Sequence, residues 1–287
     1  MLKALGNINS NGDVGTEDSS SPSLIMPTDW ESLCEGPSAH FAPVAPIHML
    51  RYFERNGYLG HYHLLLAHDV ADPVNEHAFW QMFHSRHPDM FIILDNSLIE
   101  LGYPVTLDVI LKACQIVRPN IVVLPDVLKG KDETIAMHRK AIEEWQKIGI
   151  DSFMAVIQGR TDEELYDFVQ EFRNEPSIKM WSVPRVVGQT MGTRRMATQM
   201  VHTLSPHKPI HLLGFSDNVN DDLICARMPG VAGIDSAVPI RAGLCGRLAY
   251  FEDMPPRGDY WTRDPLGNEL QRAIANMAYV RGALLRS

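Results

Sequence analysis

The sequence predicts a single-domain α/β protein, a (β/α)8 TIM barrel, on three observations. Short apolar runs recur at 62–67 (YHLLLA), 91–94 (FIIL), 121–124 (IVVL), 153–157 (FMAVI), 180–183 (MWSV), 210–213 (IHLL) and 231–234 (VAGI). Their starts lie 29, 30, 32, 27, 30 and 21 residues apart, and the segments between them have helical spacing. That is the pattern of buried parallel strands joined by right-handed helical crossovers. The chain has 287 residues, near the ~250 usual for one such barrel and enough for a large single core. A doubly wound open sheet is the alternative, but no GxGxxG or P-loop supports it.

The elements follow in order. Residues 1–38 read as a disordered or extended leader, because 7–23 (NINSNGDVGTEDSSSPS) is rich in Gly, Ser and Asn and lacks apolar periodicity. The catalytic barrel is expected over 39–287. The first strand is sought in 41–47 (FAPVAPI) despite its prolines, and the seven apolar runs supply the other strands. Helices are expected over 106–117, 132–147 and 161–172, the last opening TDEELYDF with acidic residues where a helix N-terminus favours them. Residues 265–285 are expected to form the closing helix.

Composition narrows the function classes. The formal charge is −9, from 26 Lys+Arg and 35 Asp+Glu, with 45% hydrophobic and 21% charged residues, the profile of a soluble globular protein. The charge is uneven: residues 1–178 hold 13 basic and 26 acidic side chains (−13), and residues 179–287 hold 13 and 9 (+4). Any polyanion is expected to meet the C-terminal part. Cys34, Cys114, Cys225 and Cys245 stand at no metal-binding or disulfide spacing, which points to a reducing cytoplasm and no structural zinc. No apolar stretch of about 18 residues and no secretion signal are present, so no membrane partner is expected.

In a barrel the reacting groups come from the C-terminal ends of the strands. Those positions hold His68 and Asp69, Asp95, Asp126, Gln158, Pro184 and Arg185, Gly214, and Asp235. A single strand-end aspartate often caps the following helix. Asp95, Asp126 and Asp235 together with Gln158 at one mouth point instead to a site.

The chain reads LDNSLIELG at 94–102, LPDVLKG at 124–130, VIQGR at 156–160, HLLGF at 211–215 and GIDSAVPIR at 233–241. In order and spacing this set resembles the tRNA-guanine transglycosylase superfamily, over about residues 60 to 245. Within it the likeness is closest to the phage and bacterial DNA-guanine transglycosylases, which place 7-deazaguanines in DNA. The first motif ends in Glu100, the second has the PDVL form, and after Asp235 the chain has only Cys245 and no His. It is thus expected to lack the zinc-binding subdomain of the tRNA enzymes. The resemblance leaves both a monomer and a homo-oligomer open.

The resemblance implies exchange of guanine for a 7-deazaguanine base, such as 7-cyano-7-deazaguanine, through a covalent aspartyl-sugar intermediate. Asp235 matches the nucleophile and Asp95 the general acid/base. Asp126 and Gln158 match residues that hydrogen-bond the purine, and Leu213 and Gly214 the strand end on which it lies. Pro184 and Arg185 stand where the family has a glycine pair, Ser97, Leu98 and Ile99 replace Gly-Gly-Phe, and Ile240 replaces a threonine beside the retained Arg241. Neither metal nor other cofactor is implied. The partners are the free base and DNA, flipped or single-stranded, with tRNA the alternative polymer. Arg185, Arg194, Arg195, Arg241 and Arg247, in the net positive segment, are the candidates for the nucleic-acid backbone.

Two readings of other classes compete. His61, His63, His68, His84, His87 and His211 suggest a metal-dependent TIM-barrel hydrolase, although His61 and His63 fall at the start of their run, away from the catalytic rim. A non-catalytic nucleic-acid-binding paralogue is the other, which the presence of both Asp95 and Asp235 disfavours.

Overall fold

Eight parallel strands form one sheet in the computed structural model, which describes residues 24–285 except 27, 31, 217 and 249–259. They are β1 (His40–Pro43), β2 (Tyr62–Leu66), β3 (Phe91–Asp95), β4 (Ile121–Val123), β5 (Phe153–Val156), β6 (Ile178–Pro184), β7 (Ile210–Leu213) and β8 (Val231–Ser236). The order β1-β8-β7-β6-β5-β4-β3-β2 brings β1 and β2 together at the seam, and helices alternate with the strands. The protein is a (β/α)8 barrel.

The apolar runs are continuous because both strand faces are buried. Alternation sends Leu64, Leu66, Ile93, Val123, Met154 and Val156 into the barrel, while Leu65, Ile92, Leu94, Val122, Phe153 and Ala155 pack outward under the helices. The helices match by burying one face. In Asp162–Phe172 the buried residues are Leu165, Phe168, Val169 and Phe172, at i, i+3, i+4 and i+7. Its start is capped: Thr161 Oγ1 accepts from the Glu164 N–H at 3.2 Å, and the Glu164 carboxylate accepts from the Arg160 N–H at 2.6 Å.

One expectation is corrected. The first strand ends at Pro43 rather than running to 47, because Pro43 and Pro46 have no N–H to give a ladder, and the helix Ile47–Arg55 follows directly on Pro46. Part of the expected leader segment packs on the barrel. Residues 1–23 lie outside the described residues, but Leu24 N–H donates to Gly149 O (3.1 Å) and Met26 N–H to Pro119 O (3.0 Å). Trp30 meets Phe91 edge-on with centroids 5.9 Å apart, and Cys34 Sγ reaches Gly230 O at 3.4 Å. Gly149, Pro119 and Gly230 stand one to four residues before strands, so this segment packs at the bottom of the barrel, opposite the C-terminal ends of the strands.

Candidate active site

The C-terminal ends of the strands surround a cavity of about 700 Å3, within the usual range for a small-molecule site. Asp95, Asp126, Gln158, Pro184, Arg185, Leu213, Gly214, Asp235 and Arg241, separated by up to 146 positions in the chain (241 − 95), all line it. His68 and Glu100 line it as well, and Tyr260 and Trp261 reach it from the segment before the closing helix Gly267–Ala283. Tyr260 is tied to β1's end by a hydrogen bond from its hydroxyl to Val44 O.

The β3–β5 side carries carboxylates with few compensating donors. Among the described residues Asp95, the last residue of β3, accepts one hydrogen bond, from the Ser97 N–H to Oδ2 at 2.8 Å. Ser97 adopts a left-handed conformation (φ 63°), and Asn96 Oδ1 accepts from the Leu98 N–H at 2.9 Å, so the chain turns sharply and leaves Asp95 at the cavity. Burial, then the negative charge of Glu100, push the Asp95 carboxyl well above the ordinary carboxylate range; Asp235 and Asp126 add to this and the Ser97 N–H opposes it.

Asp126 is better supported. Gln158 Nε2 donates to its Oδ2 at 2.7 Å and Asn96 Nδ2 to its Oδ1 at 3.3 Å. Gln158 is itself fixed, because its Oε1 accepts from the Lys129 N–H at 2.8 Å. Burial still outweighs these donors and raises Asp126 to about 6. Its loop is anchored by Thr134 Oγ1, which accepts from the Val127 N–H at 3.0 Å.

The β6–β8 side is arranged differently. Asp235 Oδ1 accepts from His211 Nε2 and from the Gly214 N–H, both at 3.0 Å. Gly214 has φ +68°, a conformation that side chains disfavour, and it turns the N–H back onto Asp235. Behind it sits Arg194, 7% exposed, with all five donors engaged. Nε and Nη2 donate to Val183 O (3.2 and 2.7 Å), Nη2 also to Leu213 O (2.8 Å), and Nη1 to Gly214 O (2.7 Å) and Asp222 Oδ1 (2.9 Å).

Arg194 is therefore corrected from a backbone-contact candidate to a brace. An arginine with every donor bonded inside the protein has none left for a phosphate. The next residue, Arg195, is exposed and lines a second groove of about 690 Å3 that shares Arg185 and Val186 with the main cavity. Arg247 is exposed and lines neither.

The histidines separate. His61 is exposed, and His63 faces outward, buried edge-on against Phe83 with centroids 5.2 Å apart. His211 lies inside the barrel on Asp235. Among the described residues no group of three or more His, Cys, Asp or Glu side chains is placed to share a metal ion. Sequence reasoning assigned no role to Asn96 and read His211 only as a metal-ligand candidate. The signal for Asn96 was its place beside the strand-end aspartate, and for His211 its two-residue spacing from Leu213, which puts both on the inward face of β7.

The fold and this cavity define a (β/α)8 barrel with a carboxylate-lined mouth. No protein-family model matches the chain, and none of the curated proteins compared with it matches. Among the described residues no helix is long and apolar enough to cross a membrane.

Proposed function

We propose that the chain is a cytoplasmic DNA-guanine transglycosylase that exchanges guanine for a 7-deazaguanine base. The observation that supports this most is the pairing of two aspartates in opposite settings across one cavity. Asp95 is crowded by carboxylates and pushed toward its protonated form, while Asp235 receives two N–H donors on one oxygen. A retaining double displacement needs such a division, one group acting as acid and the other as nucleophile.

Asp235 attacks C1′ and forms a C1′–O bond as the C1′–N9 bond breaks. The bonding pair leaves with guanine, which takes the Asp95 proton. The incoming base then gives its N9 proton to the Asp95 carboxylate, and N9 attacks C1′ and releases Asp235. One base enters as one leaves, with no redox step. Asp126 and Gln158 would hold the purine edge, the Asp126 carboxylate accepting from the N1–H and exocyclic amine. Pro184 offers no N–H, so Arg185 is the polar group on that wall.

The polymer would reach the site by flipping a nucleotide or as a single strand, its phosphates meeting Arg185, Arg195 and Arg241. The test is incorporation of labelled guanine, in competition with 7-cyano-7-deazaguanine, into duplex DNA and into unmodified tRNA, with and without chelator. Label in DNA that survives chelation is the expected result. Label in tRNA alone moves the activity to that polymer, and label in neither rejects the exchange reading in favour of a hydrolase or a non-catalytic protein.

A further inference from the structure

Among the described residues Asp235 is held through Oδ1 alone, and the support for that oxygen continues down through the barrel interior. His211 Nε2 lies 3.0 Å from it, and on the far side of the imidazole the Tyr62 hydroxyl lies 2.8 Å from Nδ1. We propose that Tyr62 and His211 are a buried positioning pair that gives the two oxygens of Asp235 different tasks, Oδ1 held and Oδ2 presented to the reacting carbon. This rests on the reading of Asp235 as nucleophile.

Tyr62 begins β2 and is fixed on both faces. Its ring stacks on Phe91 (centroids 5.0 Å, 8°) and on His40 (5.1 Å, 14°). Gly233 makes the space, because a Cβ there would come within 2.8 Å of Tyr62 Cε1 and 2.9 Å of His40 O. Burial, followed by the charge of Asp235, pushes the Tyr62 phenol well above its ordinary value, so the hydroxyl keeps its proton. Its hydrogen-bond partner is His211 Nδ1. Donation there selects the tautomer with the proton on Nε2, the nitrogen that faces Asp235. His211 is fully buried, and turning its ring would break both bonds.

The second donor to Oδ1 is braced in the same way, because Arg194 holds Gly214 by its carbonyl while the Gly214 N–H points at Asp235. Two fixed donors thus converge on one oxygen, leaving Oδ2 with no hydrogen bond among the described residues. When Oδ2 bonds to C1′, Oδ1 becomes the ester carbonyl oxygen. When the incoming base displaces the ester, negative charge returns to the carboxylate, where the two N–H groups already stand. Stabilising charge where it develops lowers the barrier without reorganisation.

The test separates positioning from packing. Tyr62→Phe keeps the stacked ring and removes only the hydroxyl, so Nδ1 loses its donor and the tautomer is no longer selected. In labelled-guanine exchange, kcat is expected to fall about ten- to a hundredfold with KM for the base within about twofold. His211→Phe is expected to lose at least as much, and His211→Gln, which retains an N–H donor, to recover most of it. A second measurement does not depend on activity. 15N NMR of histidine-labelled full-length protein, with the His211 signal assigned by its loss in His211→Gln, should show the Nε2–H tautomer in the wild type and a shift toward Nδ1–H in Tyr62→Phe. A wild-type kcat in Tyr62→Phe, or an Nδ1–H tautomer in the wild type, overturns the pair. Absence of exchange in the wild type with any base rejects the transglycosylase reading instead, and the NMR result still decides the hydrogen-bond pair.

Discussion

The two sides of the barrel mouth hold the same residue type in opposite surroundings. On the β3–β5 side, Asp95 has one backbone donor among the described residues and feels the charges of Glu100, of Asp126 and, across the mouth, of Asp235, so burial and like charge act together on it. On the β6–β8 side, Asp235 has an imidazole N–H and a backbone N–H on one oxygen, and Asp222 is neutralised by the buried Arg194. The lesson is that the donor count around each carboxylate, rather than its residue type, sets the two aspartates apart. Under the proposed function the donor-poor Asp95 carries the proton and the donor-rich Asp235 is the nucleophile.

The comparison breaks most severely if Asp235 is not the nucleophile. Asp235→Asn should fold, by circular dichroism, and lose more than about 10^3-fold in base exchange. The opposite side is tested by Asp95→Asn, which keeps the shape but carries no titratable proton, and single-turnover exchange should slow by about 10^2- to 10^4-fold. Retained rates in either variant dissolve the division of labour.

The brace is a question of stability. Arg194→Leu leaves Asp222 buried without its cation and should cost about 3–5 kcal/mol in urea unfolding, while Arg194→Leu with Asp222→Leu should recover part of the loss. A cost below about 1 kcal/mol would mean that the β6–β8 side does not depend on that pair. The smallest effect concerns Asp126, raised by burial to about 6. Its ionised form accepts the N–H groups of the base and its protonated form does not. KM for the base should therefore be flat above pH 7 and rise up to about tenfold per pH unit as the pH falls below about 6. Asp126→Ala should remove that dependence and raise KM throughout.

Much of the fold was legible because its code is local. A strand buried on both faces must be apolar over four or five residues, as in 91–94 and 121–124, and an intervening helix must show its own period, as in 161–172. Both signals fit in a short window, and their alternation at about 30 residues leaves few topologies. The strand-end rule then located Asp95, Asp126, Gln158 and Asp235 before any contact was known.

What the sequence by itself determined is therefore the barrel, its order of elements and the residue types at its mouth. Tertiary structure alone decided which partners surround those residues. Tyr62 and His211 stand 149 positions apart and Arg194 and Asp222 28 apart, and no local period links the members of either pair. In the sequence Arg194 is indistinguishable from its neighbour Arg195, yet one is buried and the other exposed. The turn of a helix sets which of two adjacent arginines faces the strand-end carbonyls, and barrel closure sets which interior side chains meet, because both depend on the distance between elements in space.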